Sequence, residues 1–279
     1  MFNYQTSESK SESYLVSFFG RANYIAWNQL IVTATFRADG SSRFAKDHRW
    51  GYFPSVALGW KIKETFCKDV NWLNDLKLRA SVGQTGNAQI SNYGWLALYG
   101  MSPIYMGEGN SVVNQVYPSQ IQNADLGWEK KTQFNIGLDA SLWQGLLGLT
   151  VDAYYSRTTD MLFEVDVPSA SGFTKSNVNI GSMQNKGIEL SLSSRKHFAS
   201  GFFYEANANW SLNRNKVLHL GDEDAPLIRK DSSEKGFYIT EVGQPVGCYY
   251  LLVQDGIFHN QEELDIARSE ERFSRNAET

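Results

Sequence analysis

The stretch LIVTATFRADGSSRFAKDHRWGYFPSVALGWKI, from Leu30 to Ile62, decides the fold. Leu30, Val32, Ala34, Phe36 and Ala38 alternate with Ile31, Thr33, Thr35, Arg37 and Asp39. Successive side chains of a strand point to opposite faces, so one side of this segment is apolar and the other mostly polar. After a polar and aromatic loop from Asp39 to Ser55, the chain returns with Val56, Leu58, Trp60 and Ile62 on the apolar face. Ser55, Ala57, Gly59, Lys61 and Lys63 take the other face. This is the pattern of a membrane-spanning hairpin with a large loop at one end.

The same period of two recurs on both sides. It predicts strands at Tyr14–Tyr24, Leu76–Gly83, Lys131–Leu142, Leu147–Ser156, Gly187–Ser193 and Phe202–Asn213, with an irregular segment from Glu64 to Asp75. Long loops are expected from Gln84 to about Asp125 and from Arg157 to Met183, and tight connections at Trp27–Gln29, Trp143–Leu146 and Arg195–Gly201. A further strand is read around Cys248–Val253, and a short helix that Asn260 and Glu263 would cap. Short and long connections are thus read as strictly alternating, the layout of an outer-membrane barrel with short periplasmic turns and long outer loops. Tyr24, Trp27, Trp60, Trp143, Tyr155 and Trp210 are read as aromatics near strand ends, where interface girdles belong.

Composition agrees with many strands and excludes several classes. The 279 residues carry 26 basic and 30 acidic side chains, a net charge of -4, which offers no electrostatic basis for a nucleic-acid partner. Mean hydropathy is -0.38, which is compatible with a barrel whose strands meet lipid only at alternate residues. No run approaches the roughly 18 to 20 apolar residues that a membrane helix needs. The start, MFNYQTSESKSES, lacks the pattern of a secretory signal, so the chain is read as an internal fragment. Cys67 and Cys248 are read as independent side chains, and neither they nor the four histidines stand at a metal-ligand spacing, so no metal or cofactor is expected.

The polar faces are sorted by charge. The first four strands present Arg21, Arg37, Lys61, Lys63, Lys77 and Arg79, whereas the next four present mainly Asp139, Asp152, Glu189 and Glu205. A small closed barrel could pair these charges across its interior, while a large barrel would carry them as two wall sectors of opposite sign.

The motifs DGSSRF, RWGYFPS, WLNDLKLRASVGQTGN, NADLGWEKKTQFNIGLD, SGFTKSNVNIGSMQNKGIELSL, NRNKVLHLGD and VGQPVGCYYLLVQDGIFHNQEEL resemble the C-terminal barrel of SusC/RagA-type TonB-dependent outer-membrane transporters, over about Tyr14 to Leu264. The resemblance implies an all-β fold: an antiparallel transmembrane β-barrel of which residues 1–279 form a partial wall of about 8 to 10 strands. Signal peptide, plug domain and C-terminal strands would then lie outside the chain. It also implies import of a bulky nutrient, an oligosaccharide or a peptide, with a SusD-like surface lipoprotein as lid and the TonB complex as drive. The alternative is a small structural or adhesion outer-membrane barrel without active transport. An enzyme is not expected, since no nucleophile motif such as GxSxG appears and the histidines are scattered.

Candidate site residues follow from side-chain chemistry. Trp95, Tyr99, Tyr105 and Tyr117 in the longest loop offer apolar faces on which sugar rings can stack, or else they pack the loop. Asp39, Arg43 and Trp50 are read as structuring the first long loop, with Arg43 tying down carbonyls. Asp222, Glu223 and Asp224 match no calcium loop and are read as a solvated tip.

Overall fold

The structure is a computed structural model, which describes residues 10–106, 111–167, 169–173, 175–221, 223–230 and 237–251, together with residues 261, 262 and 265. In chain order the strands are β1 (Leu15–Ala26), β2 (Leu30–Ser41), β3 (Trp50–Lys61), β4 (Leu73–Asn87), β5 (Leu98–Met106), β6 (Ser111–Gln120), β7 (Glu129–Leu142) and β8 (Leu147–Thr159). They continue with β9 (Leu162–Asp166), β10 (Lys175–Asn179), β11 (Ser182–His197), β12 (Phe203–His219), β13 (Leu227–Lys230), β14 (Phe237–Thr240) and β15 (Cys248–Tyr250). A single helical turn, α1 (Lys63–Phe66), lies between β3 and β4.

Eight strands form one antiparallel sheet in the order β1-β2-β3-β4-β7-β8-β11-β12. The predicted period of two becomes a continuous apolar face across this sheet. Ala34 lies opposite Val56, Val56 opposite Val82, Val82 opposite Phe134, and Phe134 opposite Tyr155. Val56, Val82, Phe134, Ile136, Ile188 and Leu212 are all exposed on this face. From Tyr204 to Leu212 the chain climbs about 26 Å at about 3.3 Å per residue. Tilted by about 40°, that is about 20 Å of vertical span, close to the ~25 Å apolar band of a membrane barrel.

The sheet does not close. Among the described residues β1 pairs only with β2, and β12 only with β11, so the eight strands are an arc of wall and not a small barrel. A second compact unit, whose described strand residues lie within 228–230, 237–239 and 247–251, contains most of a three-stranded sheet ordered β13-β14-β15. The expected strand at Cys248–Val253 is present as Cys248–Tyr250, while the expected cap at Asn260 and Glu263 lies outside the described residues.

Three sequence expectations are corrected. The alternation of connection lengths is not strict: residues 42–49 join β2 to β3, whereas the opposite end joins β3 to β4 through the longer segment 62–72. The ladder runs on past the apolar belt, pairing Asp39 with Gly51 and Gly40 with Trp50, because backbone hydrogen bonds do not require apolar side chains once the strand leaves lipid. The long loops contain hairpins of their own, β5–β6 and β9–β10, which hydrophobic alternation did not mark because their Gly, Ser and Asn positions carry no period. Trp210 is mid-strand, opposite Leu190, and not at a strand end.

The oppositely charged sectors meet at a seam along the wall. Arg79 on β4 donates through Nε to Asp139 Oδ2 at 2.8 Å and through Nη2 to Asp152 Oδ2 at 2.9 Å. In register, Arg79 faces Gly137 and Gly137 faces Asp152, so the guanidinium reaches across a strand that has no side chain at that point. A β-carbon on Gly137 would overlap both partners.

Two outcomes follow. In the detergent-solubilised protein, Gly137→Val or Arg79→Leu is expected to lower stability by about 1–3 kcal/mol, reduced from the fully buried case because the groups are partly solvated, and thermal melting would read it. The chain alone in water, with an open sheet and an apolar face, is expected to aggregate. A cooperative, monomeric, detergent-free melt would contradict the membrane assignment of that face.

Candidate functional site

The sheet's long-connection end carries a packed platform built from three loops. Phe44, Phe53, Leu126 and Trp128 form its buried core, with Ala88, Ile90, Trp95 and Leu162 against it. Trp128 tilts against Phe44 and meets Phe53 edge-on, both at 5.4 Å between centroids, and its Nε1 donates to Arg49 O at 3.0 Å. Gly51 and Gly86 make room for the Phe53 ring, which a β-carbon at either would overlap. These glycines let an aromatic side chain enter a wall otherwise lined by small polar residues.

Asparagines lace the loops together. Asn123 Nδ2 donates to Asn177 O at 2.8 Å, and Asn179 both accepts from Gly127 N at 2.7 Å and donates to Gly127 O at 2.9 Å. Glu129 Oε2 accepts from Leu162 N at 3.2 Å. Arg43 joins the first loop to the next, donating through Nη1 to Ala88 O at 3.1 Å and through Nε to Asn92 Oδ1 at 3.0 Å.

Between this platform and the polar face of β2–β4 lies an open concavity of about 860 Å³. Its wall includes Thr35, Arg37, Asp39, Ser41, Ser55, Thr85, Asn87 and Gln89, and its apolar floor is Phe53 and Trp128. Arg37 and Asp39 on this wall match each other, and Arg43, which also lines the concavity, is held by Ala88 O and Asn92 Oδ1. Arg37 Nε donates to both carboxylate oxygens of Asp39, at 2.8 and 2.6 Å, and its Nη2 donates to Ser17 Oγ at 3.2 Å. What remains for a ligand is a set of hydroxyl and amide groups around an aromatic floor, a surface that binds by hydrogen bonding and stacking.

The structure distributes the other candidate residues differently. Trp95 is half-buried against the platform core. Tyr99 and Tyr117 lie on opposite faces of the β5–β6 ribbon: Tyr99 faces Pro118, whereas Tyr117 faces Gly100 and covers it with its ring. Tyr105 pairs with Val112 in the ladder. Trp95, Tyr99 and Tyr117 therefore form no single stacking platform. Trp50 lies on the apolar face, stacked on Phe18 at 6.1 Å, as part of an aromatic rim that also pairs Phe36 with Tyr52. Asp224 is exposed but not free, since its Oδ1 accepts from Leu220 N at 2.7 Å and pairs with His219 Nδ1 at 2.6 Å, and Asp222 lies outside the described residues. Of the floor residues, Phe53 stands in the sequence beside Arg43, Trp50 and Tyr52 as a packing residue of the first loop, whereas Trp128 went unassigned, although the glycines at 51 and 86 signal that something bulky approaches the backbone.

Comparison with known proteins places this architecture. Residues 2–241 match the family described as TonB dependent receptor-like, beta-barrel. The chain belongs to the TonB-dependent receptor β-barrel family. It is 41% identical over 252 residues to the TonB-dependent receptor SusC of Bacteroides thetaiotaomicron, covering 86% of this chain and 25% of that protein. A TonB-dependent receptor of Formosa agariphila is 39% identical over 249 residues, covering 89% of this chain and 23% of that one. Among solved structures, the RagAB peptide transporter superposes with a TM-score of 0.79 at 33% identity, covering 89% of this chain and 26% of that chain. The receptor chain thus spans about a quarter of the length of the relatives it matches. It is an outer-membrane protein whose wall is built of strands, and the open sheet is an arc of a larger barrel.

The platform gives a direct expectation. In the receptor, Gly86→Val displaces Phe53, and Arg43→Ala releases residues 88–92, so both variants should show several-fold faster cleavage in the long loops under limited proteolysis, with the membrane-embedded wall still protected.

Proposed function

We propose that this chain forms wall and outer loops of an importer of bulky nutrients, oligosaccharides foremost, that works with a SusD-like surface lipoprotein as lid and draws energy from TonB. The observation that carries the reading is the concavity of about 860 Å³ at the loop end, where hydroxyl and amide groups surround an aromatic floor. Of the charges that line it, Arg37 and Asp39 neutralise each other, and Arg43 is committed to Ala88 O and Asn92 Oδ1. A neutral polyhydroxylated ligand suits such a surface, since each hydroxyl exchanges water for a protein partner while the C–H face of a sugar ring meets an indole or phenyl group. Likeness to SusC supports the same direction.

A peptide is the second reading, favoured by likeness to a structure titled as the RagAB peptide transporter. Backbone amides of an extended peptide would use the same hydroxyl and amide groups. Trp95, Tyr99, Tyr105 and Tyr117 enter the proposal as ligand contacts at the rim, with Tyr99 and Tyr117 on opposite sides of their ribbon and so serving different parts of a large ligand. No catalytic step is part of the proposal.

The test is uptake by a strain in which the receptor gene is replaced by variants. Asn87→Ala combined with Gln89→Ala, and separately Tyr99→Ala, are expected to slow uptake of one oligosaccharide class about tenfold, the effect of losing one anchoring contact, with monosaccharide growth unchanged. Loss of peptide uptake with intact glycan growth would select the second reading. Unchanged uptake of both classes would remove the concavity as the binding site.

A further inference from the structure

On β8, β11 and β12 the apolar face ends, toward the long loops, in arginine and lysine. Tyr155 is followed by Arg157, Ile188 is preceded by Lys186, and Leu212 is followed by Arg214 and Lys216. The ladder brings them side by side: Tyr155 faces Lys186 and Lys186 faces Arg214, while in the next row Arg157 faces Gln184 and Gln184 faces Lys216. Strand separations of about 4.8 Å and about 6.7 Å between alternate residues put the four backbone positions within a patch of about 10 by 7 Å.

Side-chain contacts confirm the face. Tyr155 Oη donates to Gln184 Oε1 at 3.3 Å, so both rows lie on the side of the exposed Phe134, Ile188 and Leu212. The residues of opposite parity turn away and bond to each other, Asn215 Nδ2 donating to Asn185 Oδ1 at 2.8 Å.

All four cations are exposed, and among the described residues none has an ion pair or a side-chain hydrogen bond. The apolar-face positions of β7, β8, β11 and β12 carry no carboxylate. Asp160, just past β8, pairs with Lys130. Like charges placed opposite one another in a ladder are unfavourable, and Lys186 against Arg214 with Lys216 beside them is such an arrangement. Ordinary snorkelling of long cations to water would not concentrate them in one sector. At the same end of β1–β3 the rim is aromatic instead, made of Phe18, Trp50 and Tyr52. The patch therefore lies immediately above the apolar belt, on the lipid side, at the outward end of the wall, unmatched by any anion among the described residues.

We propose that Arg157, Lys186, Arg214 and Lys216 bind the phosphorylated headgroup of an outer-leaflet glycolipid. Its acyl chains lie along Ile188, Leu212 and Phe134, and its phosphate accepts charge-assisted hydrogen bonds from the four side chains, with arginine supplying the bidentate geometry. The occupant is a lipid and not a soluble anion, because the patch is continuous with the surface that hydrocarbon covers. The inference rests on the outer-membrane placement and is independent of what the receptor imports.

The experiment uses the full-length receptor in detergent, with bis-phosphorylated lipid A, enzymatically dephosphorylated lipid A and inorganic phosphate as probes, read by native mass spectrometry. Bis-phosphorylated lipid A is expected to stay bound through detergent exchange, and the dephosphorylated form to bind at least tenfold more weakly. The combined variant R157Q/K186Q/R214Q/K216Q is expected to lose at least tenfold in lipid retention while keeping the folded, heat-modifiable gel mobility of the native barrel. Should that variant fail to fold, K186Q/R214Q is read in its place, with a several-fold loss expected. Equal binding of dephosphorylated lipid A, displacement of the lipid by millimolar inorganic phosphate, or undiminished retention by the folded variants would each overturn the proposal.

Discussion

Inside hydrocarbon no water is available to a peptide group, and each unpaired N–H or C=O costs several kcal/mol. The wall meets this constraint with an unbroken ladder, in which every strand of the eight-stranded sheet except β1 and β12 is paired on both sides. Everything else in the structure is arranged around that ladder. Once the backbone is committed to it, side chains have only two directions, and the alternation of Leu30–Asp39 becomes an apolar outer face and a polar inner one. Strands such as β12, Phe203–His219, outrun the apolar belt, so their ends lie beyond the hydrocarbon and can take on other work.

The inner face shows how charge is accommodated on such a wall. Basic and acidic strands are largely segregated, and they meet between β4 and β8, where Arg79 holds Asp139 and Asp152 across Gly137. A single missing side chain creates that junction. The same device operates at the loop end, where Gly51 and Gly86 admit the Phe53 ring beneath Trp128. In both places glycine acts by permitting close approach of a neighbour rather than by an unusual backbone angle.

Beyond the belt, the two faces diverge in purpose. Inward, loops tied by Arg43, Asn123 and Asn179 hold a hydrogen-bonding concavity in place. Outward, the rim is aromatic along β1–β3 and cationic along β8, β11 and β12. A rigid scaffold thus presents one chemistry to cargo and another to lipid, and the loops vary the first without disturbing the second.

What the sequence determined by itself was the ladder and its faces, because a period of two at each membrane strand is a local property that any reader of Leu30–Ile62 can count. The strand pairs β1–β2, β7–β8 and β11–β12 follow, since short connections leave neighbours no other partner, and β2–β3 follows from matching apolar faces on either side of its loop. Only the tertiary structure decided that β4 pairs with β7 across residues 88–128, that hairpins lie within that loop and the next, and that the arc stays open. The candidate site was legible in part. Asp39 and Arg43 stand out as charged residues in a turn, but the separation of Tyr99 from Tyr117 depends on a register shift at Leu98/Tyr99 that no composition reveals. Phe53 and Trp128, 75 residues apart in number, become one floor only when β3 and β7 are brought to either side of β4. Contacts between distant segments are set by packing and register, which are properties of the assembled sheet and not of any single strand.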